Sequence, residues 1–124
     1  ISIFMKKAAS KEAPLIYGDG KQYRDFVFVK DVVRANLLAG IASGISGRIF
    51  NVGTGDVVHI RELWKMICQM AGIDIKPQYA PERPGDIRES VANIDRAVLH
   101  LEFNPEYSFE KGLKTTFEWY SQNL

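Results

Sequence analysis

Between Tyr17 and Arg24 the chain sets a phenol ring, two glycines and a guanidinium within one short loop, Tyr17-Gly18-Asp19-Gly20-Lys21-Gln22-Tyr23-Arg24. A ring can lie against a nucleobase, and free backbone groups of Leu15 to Tyr17 can meet the base's polar edge. A guanidinium forks onto phosphate oxygens better than an ammonium does. A second segment, Arg83-Pro84-Gly85-Asp86-Ile87-Arg88, adds two guanidiniums and a carboxylate that could accept a bond from a ribose hydroxyl. Read together, the segments point to a nucleotide-sugar site with Leu15, Tyr17, Arg24, Arg83 and Asp86 as its binding residues.

Each residue also has a plainer reading. Arg24, Arg83 and Arg88 could be solvated surface arginines, although the neighbouring glycines and prolines hold such side chains at low entropic cost. Tyr17 could be a half-buried strand tyrosine, and Asp86 could pair with Arg83 or Arg88. Asp25 reads as a residue that orders the turn or pairs with a cation, not as an acid or base.

Nothing in the chain is assigned a catalytic role. Tyr17-x-x-x-Lys21 has the spacing of a reactive tyrosine–lysine pair, but that pair needs a helix to place i and i+4 on one face. Two of the three intervening residues are glycine, and Asp-Gly is a turn signal. Gly53-x-Gly55 lacks the third glycine of a dinucleotide fingerprint. His59 and His100 stand far apart and Cys68 has no partner, so no metal-ligand spacing exists. The two histidines read as a loop residue and a helix-surface residue.

The elements that must carry these residues follow from periodicity. Ile1, Phe4, Met5 and Ala8 give one apolar face to a helix over residues 1–11, which Pro14 ends. This helix reads as exposed and open to pairing with another chain. Leu15–Tyr17 and Asp25–Val29 read as two strands around the Gly18-Asp19-Gly20 turn. Asp31 opens a helix over Val32–Ala42. Arg48–Gly53 reads as a buried strand whose parallel neighbours are expected upstream of Ile1. A helix over Ile60–Ala71 ends at Gly72. Ile73–Tyr79 is extended, Pro81–Asp86 is loop, Asn93 caps a helix over Ile94–Leu101, and Ser108 caps the last helix, Phe109–Asn123. This is an α/β pattern.

Composition sets the bounds. The 124 residues are one domain's worth and 46% hydrophobic, enough to bury roughly two-thirds of the unfolded surface. Sixteen Lys and Arg against 15 Asp and Glu leave no basic excess for nucleic acid or a membrane surface. Any anion site must come from local placement. No stretch approaches the ~18 apolar residues of a membrane span. The single cysteine, Cys68, excludes an internal disulfide, reads as a small core residue and fits a reducing cytoplasm. The chain opens at Ile1, in what reads as a helix, as a piece of something longer would.

Five segments in order, Leu15–Gln22, Arg24–Val32, Ile49–Gly55, Arg83–Arg88 and the closing run Gly112-Leu113-Lys114-x-Thr116-x-Glu118-Trp119-Tyr120, resemble the C-terminal portion of extended short-chain dehydrogenases/reductases. The likeness is strongest to nucleotide-sugar 4-epimerases of the UDP-glucose 4-epimerase type. It implies a C-terminal substrate-binding lobe spanning residues 1–124, with the helix at 30–43 and the strand at 48–53 belonging to a Rossmann core. It implies a Rossmann half, here missing, that holds NAD and the catalytic Tyr-x-x-x-Lys. There NAD would take a hydride from C4 of the sugar and return it to the other face. The loop at Leu15 to Tyr17 would meet uracil, Arg24 with Arg83 would grip the diphosphate, and Asp86 would reach the ribose. The chain alone would bind a UDP-sugar but not NAD, and would be inactive; the whole protein would be a homodimer. A nucleotide-sugar 4,6-dehydratase or decarboxylase on the same scaffold, or a non-catalytic interaction module, are the other readings. Glu102 stands where this family usually ends a helix with glycine.

Overall fold

The computed structural model describes residues 1–123. Ten elements follow one another: α1 (Ser2–Ala9), β1 (Leu15–Tyr17), β2 (Tyr23–Arg24), α2 (Val29–Ile41), β3 (Val58–His59), α3 (Ile60–Ala71), β4 (Gln78–Ala80), β5 (Glu89–Ser90), α4 (Asp95–Leu101) and α5 (Phe109–Asn123). Helices α1, α3 and α5 close over the main core. Phe4, Met5 and Ala8 of α1 meet Leu63, Trp64, Ile67 and Cys68 of α3, with Ile16 and Leu113. The Trp64 indole N–H donates to the Ile75 carbonyl at 2.7 Å, so the ring buries its body and satisfies its polar edge. A smaller cluster, Ala35, Ala97, Leu101 and Phe103, joins α2 to α4.

The α/β class and the helix order follow the periodicity, but the strand pairing does not. The two strands expected to flank the glycine turn do not pair with each other. β1 runs parallel to β4, with Leu15 opposite Gln78 and Tyr17 opposite Ala80. β2 is the middle of a separate three-stranded sheet, antiparallel to β3 and parallel to β5. Gly18 and Gly20 both take positive φ, +75° and +72°, and carry the chain from one sheet to the other. The second extended run is shifted as well, since its strand is Tyr23–Arg24.

Helix α2 starts at Val29, and Asp31 is not its cap. The Asp31 carboxylate is fully buried and accepts the backbone N–H groups of Glu106 and Tyr107 at 3.0 and 3.1 Å. Burial demands partners for those donors, and a distant loop supplies better ones than the helix's own first turn. Arg34 reinforces the same junction, pairing with Glu106 and donating to the Asn104 carbonyl.

Arg48–Gly53 is not a strand among the described residues. Ile49 is 78% exposed, while Phe50 and Val52 turn onto the α2–α4 cluster. The segment has the composition of a buried strand but no ladder partner to make it one. Helix α1 also departs from expectation, because Phe4, Met5 and Ala8 are core residues and not an open face. The exposed apolar face lies instead on α2, where Val29, Val33, Leu37 and Ile41 recur at four-residue spacing and are 52–81% exposed.

The expected caps hold at Gly72 and Ser108 but not at Asn93. Gly72 ends α3 at φ +65°, and Ser108 accepts the Lys111 N–H at 3.3 Å. Asn93 accepts the Asp95 N–H at 2.9 Å, but α4 begins at Asp95, after Ile94. Glu102 ends α4 at φ +53° without being glycine. Cys68 is buried, and that burial pushes its thiol pKa up. Among the described residues no helix is long and apolar enough to cross a membrane.

Candidate functional site

A cleft of about 330 Å³ opens between β1, β2 and the loop before β5. All five positions singled out in the sequence, Leu15, Tyr17, Arg24, Arg83 and Asp86, line it. Phe4, Ile16, Phe26, Ile60 and Leu63 line it with apolar surface. Aromatic and aliphatic walls with a few convergent polar groups are the usual make-up of a small-molecule site.

Local chemistry explains how each polar group arrives there. Arg83-Pro84-Gly85-Asp86 is a reverse turn closed by the Asp86 N–H donating to the Arg83 carbonyl at 3.1 Å. Proline at its second position and glycine at φ +80° at its third suit a type II turn. Its two ends therefore face the cleft together. The parallel pairing of β2 with β5, Tyr23 opposite Glu89, then brings this turn beside Arg24.

The Arg83 guanidinium carbon lies over the Tyr17 ring, 3.7 Å from its centroid. Arg24 donates to its neighbour's carbonyl, Tyr23 O, at 2.8 Å and to Asp86 Oδ1 at 3.2 Å. Asp86 is thus paired with Arg24, and not with Arg83 or Arg88 as its sequence neighbours suggest. Arg88 instead bridges Asp19 at 3.0 Å and Glu82 at 3.1 Å. The Lys21 backbone N–H and then Arg88 hold the Asp19 carboxyl below its ordinary range. Among the described residues Arg83 has no carboxylate within ion-pair distance, so it is the arginine of the three whose charge is not already matched.

Two further residues shape the site. The Gln22 amide donates to the Tyr17 carbonyl at 2.8 Å and fixes the loop that carries the ring. Its position beside a glycine turn is the only signal the sequence offers. His59, expected in a loop, sits in β3, and its Nδ1 lies 2.6 Å from the Lys21 carbonyl, which makes it a donor there. His100 sits on α4 beside Arg48 at 3.3 Å.

Asp25 is neither a turn residue nor a partner of a cation. Its carboxylate accepts from the Thr54 N–H and hydroxyl, the Gly55 N–H and the Ala92 N–H, at 2.7 to 3.3 Å. Partial burial alone would raise its pKa, but these hydrogen bonds outweigh burial and hold it below the ordinary value. The same contacts decide what Gly53-Thr54-Gly55 can hold. A side chain at Gly53 would stand 2.5 Å from Asp25 Oδ2 and 2.6 Å from the Ala92 side chain. This loop's glycine thus admits a carboxylate, and its free N–H groups are already bonded to it. The loop does not fit the pyrophosphate of a dinucleotide. Tyr17 lies in β1 and Lys21 in the loop beyond it, so the two share no helical face.

Comparison with known proteins agrees with the ordering of these pieces. Residues 1–53 match the NAD dependent epimerase/dehydratase family. The UDP-glucose 4-epimerase of Mycolicibacterium smegmatis is 37% identical over 120 residues, covering 97% of this chain and 38% of that protein. The dTDP-glucose 4,6-dehydratase of Xanthomonas campestris is 32% identical over 133 residues, covering 99% and 38%. The crystal structure of UDP-glucose 4-epimerase with UDP-glucose from Thermotoga maritima superposes with a TM-score of 0.92 at 38% identity, covering 98% of this chain and 39% of that one. The chain therefore spans about two-fifths of the length of the relatives it matches. Over nearly all of its length, it corresponds to the C-terminal part of proteins of the NAD dependent epimerase/dehydratase family.

Proposed function

We propose that this chain holds the nucleotide end of a UDP-sugar, as the C-terminal part of an NAD-dependent sugar 4-epimerase working in the cytoplasm. The observation that carries the reading is the convergence of Tyr17, Arg24, Arg83 and Asp86 on one cleft from segments some sixty residues apart in sequence. In this reading Tyr17 lies against the uracil, and the exposed backbone edge at Leu15 to Tyr17 meets the base's polar groups. Arg24 and Arg83 take the two phosphates, and Asp86, released from Arg24, accepts from the ribose. NAD supplies the hydride chemistry in such an enzyme and is held outside these residues. The contribution of this chain is to anchor one end of the substrate while the sugar turns. Binding energy far from the reacting carbon is then used to position it.

Epimerase is preferred to dehydratase or decarboxylase on the Arg83–Arg88 and Asn51–Gly55 runs. The exposed apolar stripe of α2, Val29, Val33, Leu37 and Ile41, supports a further part of this reading. It is the face on which a Rossmann half would seat, and the whole protein would form a homodimer. Calorimetric titration of this chain with UDP tests the site. Arg24→Ala and Arg83→Ala should each weaken binding about tenfold or more, since a charge-assisted bond to phosphate is lost. Unchanged affinity in both variants, with circular dichroism intact, overturns the assignment.

A second reading is a non-catalytic interaction module, favoured by the same α2 stripe, because contiguous exposed apolar surface marks an interaction site. Retained UDP affinity in both arginine variants, or none in the wild type, would shift the weight to it.

A further inference from the structure

We propose that Arg83 makes this cleft selective for phosphate-bearing nucleotides over bare nucleosides, because its guanidinium occupies the place of the base on Tyr17 until a diphosphate draws it away. The inference rests on the nucleotide-site reading above and adds a task for one residue within it. The guanidinium is planar and lies 3.7 Å from the ring centroid, the stacking position a base would take. Tyr17 and Arg83 line the same cleft, and a base that stacks on the covered face of the ring must displace the guanidinium.

The three arginines differ in what they must give up. Arg24 is bonded to Asp86 at 3.2 Å, and Arg88 to Asp19 and Glu82 at 3.0 and 3.1 Å. Moving either onto a phosphate breaks an ion pair. Among the described residues, moving Arg83 breaks no ion pair and gives up its contact with the ring. Its turn, fixed by Pro84 and Gly85, keeps the backbone in place while the exposed side chain swings. A nucleoside diphosphate therefore offers a balanced exchange, in which the base takes the ring and the phosphate takes the guanidinium. A nucleoside without phosphate must displace Arg83 and leave it with water alone.

The exchange predicts changes of opposite sign in a single variant. Uridine and UDP are titrated into the wild-type chain and into Arg83→Ala, with nuclear magnetic resonance following the weak uridine binding. Arg83→Ala should bind uridine about two- to fivefold more tightly, the worth of an exposed cation–aromatic contact. The same variant should bind UDP about tenfold or more weakly. In the ligand-free wild type the Arg83 δ-methylene protons should be shifted upfield by the Tyr17 ring, and saturating UDP should abolish that shift. Uridine affinity that is unchanged or falls in Arg83→Ala overturns the proposal, as does an Arg83 signal that stays put on UDP saturation. These outcomes differ from failure of the nucleotide site itself. In that case Tyr17→Ala and Arg24→Ala would also leave UDP affinity unaltered.

Discussion

Removing the carboxylate of Asp25 should cost the chain about 2–4 kcal/mol, more than any other single polar change near the cleft. Its two oxygens serve four donors on two separate segments: the Thr54 N–H and hydroxyl with the Gly55 N–H on one, and the Ala92 N–H on the other. Asp25→Ala leaves all of them without an acceptor. The Gly55 N–H is exposed and regains water, so the loss falls mainly on Thr54 and Ala92, which are partly buried. Hydrogen bonds to a charged group contribute roughly 1.5–3 kcal/mol each, and two or three of them, discounted for entry of water, give the figure above. Urea unfolding at pH 7, followed through the buried Trp64, measures it; Trp119 is exposed and should contribute a constant background. Asp25→Asn should be nearly as damaging, because its NH₂ group must face a backbone N–H. The pH dependence gives an independent check. The folded pKa is depressed, so the unfolded state binds more protons in acid. The stabilisation is complete above the unfolded carboxyl value of about 3.9 and is lost as pH falls from there through the folded value. Asp25→Ala should flatten that part of the stability profile. A loss below about 0.5 kcal/mol at pH 7, or an acid limb as steep in the variant as in the wild type, would refute the reasoning.

Gly53→Ala attacks the same junction from the other side. Its new methyl would stand 2.5 Å from the Asp25 carboxylate and 2.6 Å from Ala92, so a destabilisation of about 1–3 kcal/mol is expected, and an unchanged urea midpoint would show that the loop yields freely. Glu102→Gly should act in the opposite direction. Glu102 holds φ +53° at the end of α4, and glycine there should raise stability by about 0.5–1 kcal/mol in the same assay, whereas a loss would show that the glutamate side chain contributes more than its backbone costs.

How far the sequence could be read depended on the range of the interactions involved. Helix α3 was legible to the residue, because a 3.6-residue apolar repeat and a glycine in the left-handed region are local signals. The pairing of β1 was not. Gly18-Asp19-Gly20 carries the composition of a hairpin turn, and only the parallel partner at Gln78–Ala80, some sixty residues away, draws the strand elsewhere. Asp31 shows the same limit from the side-chain direction. At the start of a helix a carboxylate reads as a cap, yet the donors it serves belong to Glu106 and Tyr107. Arg48–Gly53 shows that composition for burial is insufficient without a ladder partner.

The cleft residues could be named from sequence because each sits on a short motif with its own chemistry, but their pairings could not. Arg83-Pro84-Gly85-Asp86 announces a turn with a cation at one end and an anion at the other. Whether those two charges meet each other depends on what the fold brings alongside. The parallel register of β2 and β5 brings Arg24, which captures Asp86. Asp19 and Glu82 capture Arg88 in the same way. Arg83 is left to the Tyr17 ring, and its unmatched charge is a product of tertiary structure, not of its neighbours in sequence. The same accounting applies to the N–H groups of Thr54 and Gly55. The Gly53-Thr54-Gly55 turn already lacks the glycine pattern of a phosphate cradle, and the structure adds a second reason, because Asp25, nearly thirty residues earlier, fills it. In the proposed nucleotide site, what matters is which donors lining the cleft the fold leaves unoccupied: the Arg83 guanidinium is unmatched by a carboxylate among the described residues, whereas the N–H groups of Thr54 and Gly55 are already taken by Asp25.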